Sequence, residues 1–226
     1  MLTEAIILAG GLGTRLRSVS GEKPKPIIEV AGRPFIYYIL DGLISQNITR
    51  VVIAISYKSD VFISEIGNSY QGLDIQYSIE HEALGTGGAI AQAMDHCITD
   101  HVLITNGDTY LDIDLLSYFN SHTSSGKSIS MALVRVEDVA RYGSVTCRDN
   151  KIISFNEKGN AGEGYINGGM YLFTRKDVLL PVEKFSFEEI VLKQQYMDIN
   201  PFECGGFFID IGIPDDYYKA CDVFKR

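Results

Sequence analysis

The chain lacks long apolar runs and an excess of basic residues. None of its 226 residues belongs to a stretch approaching the roughly 18 consecutive apolar residues of a membrane-spanning helix. The first residues, Met1–Glu4, carry no basic segment of the kind found in signal peptides, so we expect a protein of the cytoplasm. The formal net charge of −9 argues against non-specific binding to nucleic acids or to anionic membranes.

The chain is also poor in cysteine and histidine, with four residues of each. The cysteines, which include no C-x-x-C pair, are Cys97, Cys147, Cys204 and Cys221. The histidines are not spaced with them as metal ligands. We therefore expect free thiols in a reducing compartment and no zinc site.

What the chain does have is the composition of one globular domain, with 46% hydrophobic and 22% charged residues. Predicted strands alternate with predicted helices, which favours a single α/β domain over 1–226. We expect a Rossmann-like, mostly parallel mixed sheet with helices on both faces. The predicted strands are Ile6–Leu8, Arg50–Ile55, Ile75–Ile79, His101–Thr105, Ser128–Val134, Tyr171–Phe173 and Phe207–Ile211, and the predicted helices are Pro34–Ser45, Asp60–Gly67, Gly88–Cys97, Phe187–Tyr196 and Pro214–Phe224.

A glycine-rich turn follows the first predicted strand. Gly10, Gly11 and Gly13 carry no Cβ, so the backbone can turn sharply and its N–H groups can approach an anion closely. Thr14 is a competent N-cap for a helix whose positive end would add to the same field. Arg15 follows directly, where it could point into bound phosphates.

Several interpretations of this turn compete. A dinucleotide-binding turn needs a third glycine where Leu16 stands, and a P-loop needs a G-x-x-x-x-G-K-[ST] pattern that is absent. A nucleotidyltransferase loop and a plain strand-to-helix turn both fit. Lys25 favours the nucleotidyltransferase loop, because Pro24 and Pro26 hold this lysine on a stiff, extended segment. Its compact ammonium group suits a phosphate oxygen.

Two aspartates are candidates for a magnesium site. Asp108 follows the strand His101–Thr105, and open α/β sheets bind ligands at the carboxyl ends of their strands. Asp210 lies within an apolar strand, where a charge is costly unless it is paired or bound to metal. Because Mg²⁺ often takes one or two carboxylates plus substrate phosphates, the two residues would form such a site if their strands lie side by side. The run Asn106-Gly-Asp108 is also typical of an Asx turn.

A second glycine-rich turn, between Glu80 and Ala89, could close over a base or a ribose. A carboxylate at Glu80 or Glu82 could accept hydrogen bonds from two adjacent N–H groups, such as those on the edge of guanine. Ordinary helix-start chemistry is the simpler interpretation of Glu82.

Polar residues of the second half suit a sugar phosphate. Glu157 could hold sugar hydroxyls and Lys158 a sugar phosphate, and we expect the glycine-rich stretch 158–164 to close when that ligand binds. Asn167 precedes two glycines and a strand, which suits a close contact with a sugar. Exposed Glu-Lys pairs are also common without any function.

Taken together, these motifs show that the chain resembles the sugar-1-phosphate nucleotidyltransferases, and the resemblance extends from Ala5 to Tyr218. The motifs that carry the resemblance are Leu8-Ala-Gly-Gly-Leu-Gly-Thr-Arg-Leu16, Pro24-Lys-Pro26, Leu84-Gly-Thr-Gly-Gly88, Asn106-Gly-Asp108, Tyr142-Gly143, Glu157-Lys158, Asn167-Gly168 and Ile209-Asp-Ile-Gly212. Within that family the chain looks most like the D-glycero-α-D-manno-heptose 1-phosphate guanylyltransferases, which make GDP-heptose for bacterial surface polysaccharides. The segments behind this narrower resemblance are Tyr77-Ser-Ile-Glu-His-Glu-Ala-Leu-Gly-Thr-Gly-Gly88, Asn106-Gly-Asp-Thr-Tyr-Leu-Asp-Ile-Asp114 and Lys184-Phe-Ser-Phe-Glu-Glu189. One departure is Glu80, where many thymidylyl- and uridylyltransferases carry a glutamine.

The resemblance implies an in-line attack by a sugar 1-phosphate oxygen on the α-phosphorus of GTP, with release of pyrophosphate. Arg15 would hold the leaving β- and γ-phosphates, Lys25 would lie between the two reacting phosphates, and Lys158 would position the sugar phosphate. Asp108 and Asp210 would hold Mg²⁺. The implied nucleotide contacts are Leu8, Ala9, Gly10, Gly11, Gly13, Thr14, Glu80, Gly85 and Thr86, and the implied sugar-phosphate contacts are Asn106, Tyr142, Gly143, Glu157, Lys158 and Asn167.

On this basis the half over about 1–135 would bind the nucleotide and the half over about 136–226 the sugar phosphate. The alternatives are a mannose 1-phosphate guanylyltransferase, an N-acetylmuramate 1-phosphate uridylyltransferase, or a non-catalytic nucleotide sensor on the same fold. A sensor could lose Lys25, Asp108 or Asp210, and this chain keeps all three. Leu16, which stands in place of the third glycine, disfavours a dinucleotide-dependent dehydrogenase. The sequence also allows the chain to form a homo-oligomer.

Overall fold

The computed structural model describes residues 1–11, 16, 23–56, 58–156, 158–159, 161–192 and 196–225. Its strands are β1 Glu4–Leu8, β2 Glu29–Val30, β3 Arg33–Pro34, β4 Arg50–Ile55, β5 Ser69–Tyr70, β6 Leu73–Ile79, β7 His101–Asn106, β8 Thr109–Leu111, β9 Ile129–Val136, β10 Val145–Arg148, β11 Lys151–Phe155, β12 Gly164–Thr174, β13 Ile199–Cys204 and β14 Phe208–Asp210. Its α-helices, numbered over the described residues, are α1 Ile36–Ser45, α2 Ser59–Ile66, α3 Gly85–Met94, α4 Leu115–Ser125 and α5 Pro214–Val223.

A ten-stranded mixed sheet forms the centre of the molecule. Strands β6, β4, β1 and β7 lie side by side and run parallel, so their carboxyl ends meet at one edge. Strand β12 joins β7 antiparallel and continues the sheet into the second half, where it also pairs with β9 and β10. The predicted α/β fold is confirmed, and the parallel edge is where such sheets bind ligands.

Two apolar cores cover the two faces of this sheet. Alternate residues of β1 face opposite sides, so Ala5 and Ile7 belong to one core and Ile6 to the other. Helices α1, α2, α4 and α5 contribute to the first core, and α3 with Phe187 and Leu192 contributes to the second. This arrangement confirms helices on both faces. All four cysteines are free thiols, as predicted.

Some elements differ from the sequence-based expectation. The predicted helix Phe187–Tyr196 is helical in its described part, but as a π-helix at Glu188–Leu192, and a 3₁₀ turn begins at Tyr196. Helix α4 and strands β10 and β13 were not predicted. The helix expected to start near Thr14 lies outside the described residues. Within the described chain, no helix combines the length and apolar character needed to cross a membrane.

A buried histidine makes the fold sensitive to acid. His122 is 1% exposed, and its Nδ1 and Nε2 lie 2.7 Å from Ser130 Oγ and 3.0 Å from Thr174 Oγ1. Burial, with a smaller effect of His101, lowers the pKa of His122 to about 4.

The stability of the protein should therefore depend on pH through this residue. Above pH 6.5 the imidazole is neutral in both states, but between pH 6.5 and 4 the unfolded chain binds a proton that the folded chain excludes. We expect the free energy of unfolding to fall by about 3 kcal/mol over this window. Urea unfolding at pH 7 and pH 4.5 measures it. The same acid loss in His122→Gln as in the wild type would contradict the assignment.

Candidate active site

A cavity of about 410 Å³ opens at the edge where the parallel strands end. Residues at or next to the carboxyl ends of β1, β4 and β7, namely Leu8, Ala54 and Asn106, lie in its wall. Its lining consists of Leu8, Ala9, Gly10, Gly11, Lys25, Pro26, Ala54, Glu80, Ala83, Gly85, Thr86, Ala89, Asn106, Asp108 and Glu188. Most of the predicted nucleotide-binding residues thus surround one space. Gly13, Thr14 and Arg15 lie outside the described residues.

Gly10 allows the first strand to leave the sheet beside a carboxylate. The N–H of Ala9 donates to the carbonyl of Ala54 over 2.8 Å, and Ser56 Oγ donates to the carbonyl of Gly10 over 2.7 Å. A Cβ at Gly10 would lie only 2.8 Å from Oε1 of Glu80. A side chain at Gly10 would therefore displace the carboxylate of Glu80 from its position in the structure.

Glu80 is a buried carboxylate, 7% exposed, in the wall of the cavity. Its Oε2 accepts a hydrogen bond from the N–H of Leu84 over 2.9 Å. Burial raises the pKa of Glu80, and the bond from Leu84 offsets part of that shift. One oxygen thus holds the turn together, and the other lies beside Gly10.

The glycines of the second turn accommodate another part of the chain. A Cβ at Gly85, where φ is +69°, would lie 2.5 Å from the carbonyl oxygen of Phe185, and a Cβ at Gly87 would overlap the Phe185 ring. The N–H of Gly87 donates to the carbonyl of Phe185, and that of Phe185 donates to the carbonyl of Leu84. This turn therefore docks a segment from the second half, a role the sequence pattern did not indicate.

That docking brings Glu188 into the cavity wall, although it was not predicted as a site residue. Its Oε2 accepts hydrogen bonds from Thr86 Oγ1 over 2.5 Å and from Ser186 Oγ over 3.0 Å. The signal in the sequence was the segment Lys184–Glu189, which contributed only to the resemblance. A contact between residues 102 positions apart has no local signature.

Asp108 and Asp210 meet beside the same cavity. Strand β14 pairs antiparallel with β8, which places Asp210 opposite Thr109, and the N–H of Ile211 donates to the carbonyl of Asp108 over 3.0 Å. Burial and then the charge of Asp108 raise the pKa of Asp210, although a 2.6 Å hydrogen bond from the N–H of Gly212 opposes this shift. The two carboxylates are close enough to repel each other.

Lys25 supplies a positive charge to this pair. It lies at the start of a 3₁₀ turn, Lys25–Ile27, is 8% exposed, and places its Nζ 3.0 Å from Oδ2 of Asp108. The described residues contain no group of three or more His, Cys, Asp or Glu side chains suited to a metal. Two carboxylates fit a cation that takes its remaining ligands from substrate phosphates and water.

Tyr142, which lies in the second half of the chain, belongs to the surroundings of Asp210. Its ring packs edge-on against Phe208, with 5.8 Å between centroids, and the guanidinium of Arg141 lies 4.9 Å from its centroid. Burial raises the pKa of Tyr142, and the charge of Asp210 adds to the effect. Gly143 follows with φ of +80°.

The structure describes two of the remaining predicted sugar-phosphate residues, Asn167 and Lys158. The amide of Asn167 donates from Nδ2 to Tyr171 Oη over 2.7 Å and accepts from the N–H of Gly169 over 2.9 Å. Lys158 is exposed and does not line the cavity. The N–H of Gly159 donates to the carbonyl of Ala140, so Lys158 lies near the turn that carries Tyr142. Glu157 lies outside the described residues.

The profile of the family described as nucleotidyl transferase matches residues 4–223. The chain is 44% identical over 221 residues to the D-glycero-α-D-manno-heptose 1-phosphate guanylyltransferase of Aneurinibacillus thermoaerophilus, covering 96% of each chain. It is also similar to HddC from Yersinia pseudotuberculosis in a crystal structure complexed with GMP-PN. That match has 40% identity, a TM-score of 0.88 and coverage of 99% of this chain and 100% of that one. A mannose-1-phosphate guanylyltransferase of Mycobacterium tuberculosis is 33% identical, over 96% of this chain but 63% of that protein.

Proposed function

The chain belongs to the nucleotidyl transferase family, and we propose that it transfers GMP from GTP to D-glycero-α-D-manno-heptose 1-phosphate. The products are GDP-heptose and pyrophosphate. The observation that carries this proposal is the position of Lys25, 3.0 Å from Asp108, in the wall of a cavity that also contains Glu80. The similarity along nearly the whole length to a heptose 1-phosphate guanylyltransferase supports the choice of base and sugar.

The reaction needs no protein nucleophile. An oxygen of the sugar phosphate, already ionised at neutral pH, forms a bond to the α-phosphorus while the bond to the β-phosphate oxygen breaks. Both reactants are anions, so the protein contributes mainly by aligning them and by neutralising their charge. Lys25 would lie between the two reacting phosphates, and Arg15 would hold the departing pyrophosphate.

Asp108 and Asp210 would hold a divalent cation, which we propose to be Mg²⁺. The donor set fits, because a cation shared with Asp108 would offset the burial and the neighbouring charge that raise the pKa of Asp210. When bound, Mg²⁺ supplies neutralisation of the charge on the α-phosphate. Asp108 directly precedes strand β8, and Asp210 is the last residue of strand β14. The pairing of these two strands therefore sets the separation of the carboxylates.

We further propose that residues 1–135 supply most nucleotide contacts and residues 136–226 most sugar-phosphate contacts. Asn106, Tyr142, Gly143, Glu157, Lys158 and Asn167 would contact the sugar phosphate. We place this activity in the cytoplasm.

Pyrophosphate release with GTP, UTP, CTP, ATP and dTTP, each with heptose, mannose and N-acetylmuramate 1-phosphates, tests the assignment. We expect GTP with heptose 1-phosphate to give the highest kcat/KM, whereas a higher value for UTP or for mannose 1-phosphate would replace it.

Glu80 is proposed to read the guanine edge. Glu80→Gln can keep the bond from Leu84 through its amide oxygen, but its NH₂ group would face the N–H donors of guanine. We expect kcat/KM for GTP to fall about ten- to a hundredfold, with a smaller loss for UTP. The matched control is Glu82→Gln, because Glu82 is an exposed carboxylate in the same turn. An unchanged GTP to UTP ratio in Glu80→Gln would assign base reading to other groups.

Lys158 is proposed to reach the sugar phosphate when its loop closes. Since this lysine is exposed and does not line the cavity, Lys158→Ala should raise the KM for the sugar phosphate about tenfold or more while changing the KM for GTP little. Lys151→Ala, at another exposed lysine, is the control. Hydrogen exchange of residues 161–164 should slow when the sugar phosphate binds. Equal exchange in both states, with an unaltered KM in Lys158→Ala, would remove the loop from the site.

A further inference from the structure

Among the described residues, Glu188 is the acidic side chain of the second half that lines the nucleotide cavity. It begins the π-helix Glu188–Leu192 and lies in the cavity wall with Thr86 and Ala89. The charge of a carboxylate repels phosphates, which disfavours a direct contact between Glu188 and the triphosphate. A carboxylate oxygen accepts hydrogen bonds well from neutral O–H groups, which both sugar rings of this reaction carry.

The position of this carboxylate is fixed by two hydroxyl groups. Its Oε2 accepts from Thr86 Oγ1 and Ser186 Oγ, and Thr86 Oγ1 in turn accepts from the N–H of Phe187 over 2.9 Å. Phe187 is fully buried and packs against Tyr171 and Phe173. The backbone that carries Glu188 is therefore anchored in the core, and one of its oxygens is already engaged.

Contacts also connect the segment of Glu188 to Asn167, one of the proposed sugar-phosphate residues. The ring of Tyr171 packs against that of Phe187, the residue before Glu188, with 5.1 Å between centroids. Burial, followed by the charge of Glu188, raises the pKa of the Tyr171 hydroxyl. Tyr171 Oη accepts a hydrogen bond from Asn167, and a Cβ at the adjacent Gly169 would lie 2.5 Å from Nδ2 of Asn106 in the cavity wall.

We propose that Glu188 is a specificity residue that accepts a hydrogen bond from a sugar-ring hydroxyl of a bound substrate. The hydroxyl belongs either to the ribose of the nucleotide or to the ring of the sugar 1-phosphate. This role rests on the proposed guanylyl transfer. It makes Glu188 a residue through which the second half of the chain contributes to the discrimination between substrates.

The test combines protein variants that lack the Glu188 carboxylate with substrates that lack a single hydroxyl group. The kcat/KM of pyrophosphate release is measured for the wild type, Glu188→Gln and Glu188→Ala. The nucleotides are GTP, 2′-deoxy-GTP, 3′-deoxy-GTP and ITP, and the sugars are heptose 1-phosphate and its 2-deoxy and 3-deoxy analogues. Glu188→Gln keeps an oxygen for Thr86 and Ser186, and thermal unfolding of both variants establishes that they fold. Glu189→Gln, at the neighbouring exposed carboxylate, is the matched control.

We expect the wild type to disfavour one of the deoxy substrates by about ten- to a hundredfold. Glu188→Ala should lose most of that discrimination, Glu188→Gln should lose part of it, and Glu189→Gln should keep it. The substrate affected identifies which sugar ring is bound. An equal loss of activity with every substrate, an undiminished discrimination in Glu188→Ala, or a change confined to the ratio of GTP to ITP would overturn the proposal. If the wild type releases no pyrophosphate with any pair, the proposed function itself has failed.

Discussion

Asp210→Asn is expected to lower kcat by about 100-fold or more and to remove most of the dependence of activity on Mg²⁺. An amide cannot supply the negative charge that a divalent cation requires, but it is nearly the same size as the carboxylate. Asn at this position can still accept the hydrogen bond from the N–H of Gly212. Because burial and the neighbouring charge of Asp108 both raise the pKa of Asp210, the neutral side chain should raise the thermal unfolding temperature of the ligand-free protein.

The measurements are a magnesium titration of kcat and a thermal unfolding curve for each protein. Asp112→Asn is the matched control, since this exposed aspartate adjoins β8 and does not line the cavity. It should keep the activity and the magnesium dependence of the wild type. An Asp210→Asn enzyme with wild-type activity and magnesium dependence would make Asp210 a structural residue.

Lys25→Met should reduce kcat by about 100- to 1000-fold with little change in the KM for GTP. The ammonium group of Lys25 is buried at the cavity wall beside Asp108, and no other lysine or arginine of the described chain lines the cavity. Methionine fills a similar volume without the charge. The reacting phosphates would then meet two carboxylates without the ammonium group that balances them.

Lys23→Met is the control for this substitution. Lys23 lies two residues earlier, its side chain is 60% exposed, and it pairs with Glu29 at the surface over 3.5 Å. Its loss should leave kcat nearly unchanged, because exposed ion pairs contribute little. Lys25→Arg should not restore activity, since a planar guanidinium differs in shape from the compact ammonium that this buried position holds. Near wild-type kcat in Lys25→Met would contradict the proposed role.

Local patterns predicted the parts of the fold and site that depend on neighbouring residues. The apolar run before the first glycines corresponds to strand β1, and the lysine between two prolines leads to a buried ammonium. Asp108 follows β7 and lines the cavity, as its position after an apolar strand indicated. These features follow from steric and burial rules that act within a few residues.

Helix α4 was missed because its interior is rich in serine, threonine and asparagine, which favour caps and turns over helix interiors. Burial of Leu115, Tyr118 and His122 against the sheet outweighs this preference. The signals that could have located it lie at its ends. Asp114 accepts from the N–H groups of Leu116 and Ser117, and Gly126 ends the helix with φ of +65°.

Glu188 and the glycines before it show why a site is harder to predict than a strand. Gly85 and Gly87 were interpreted as a turn that closes over the nucleotide, yet they also give room to Phe185. Nothing in the sequence around Thr86 indicates that its hydroxyl meets a residue 102 positions later. Such contacts are fixed only when the second half of the sheet folds against the first.

The most direct test of the account is the reaction of GTP with heptose 1-phosphate and Mg²⁺, followed by ³¹P NMR. The account predicts that GTP is converted to pyrophosphate and GDP-heptose in equal amounts, without GDP or free phosphate. It also predicts that this conversion is lost in Lys25→Met and Asp210→Asn but kept in Lys23→Met and Asp112→Asn. Release of GDP or phosphate instead, or equal conversion by all four variants, would contradict the assignment of this cavity as the site of guanylyl transfer.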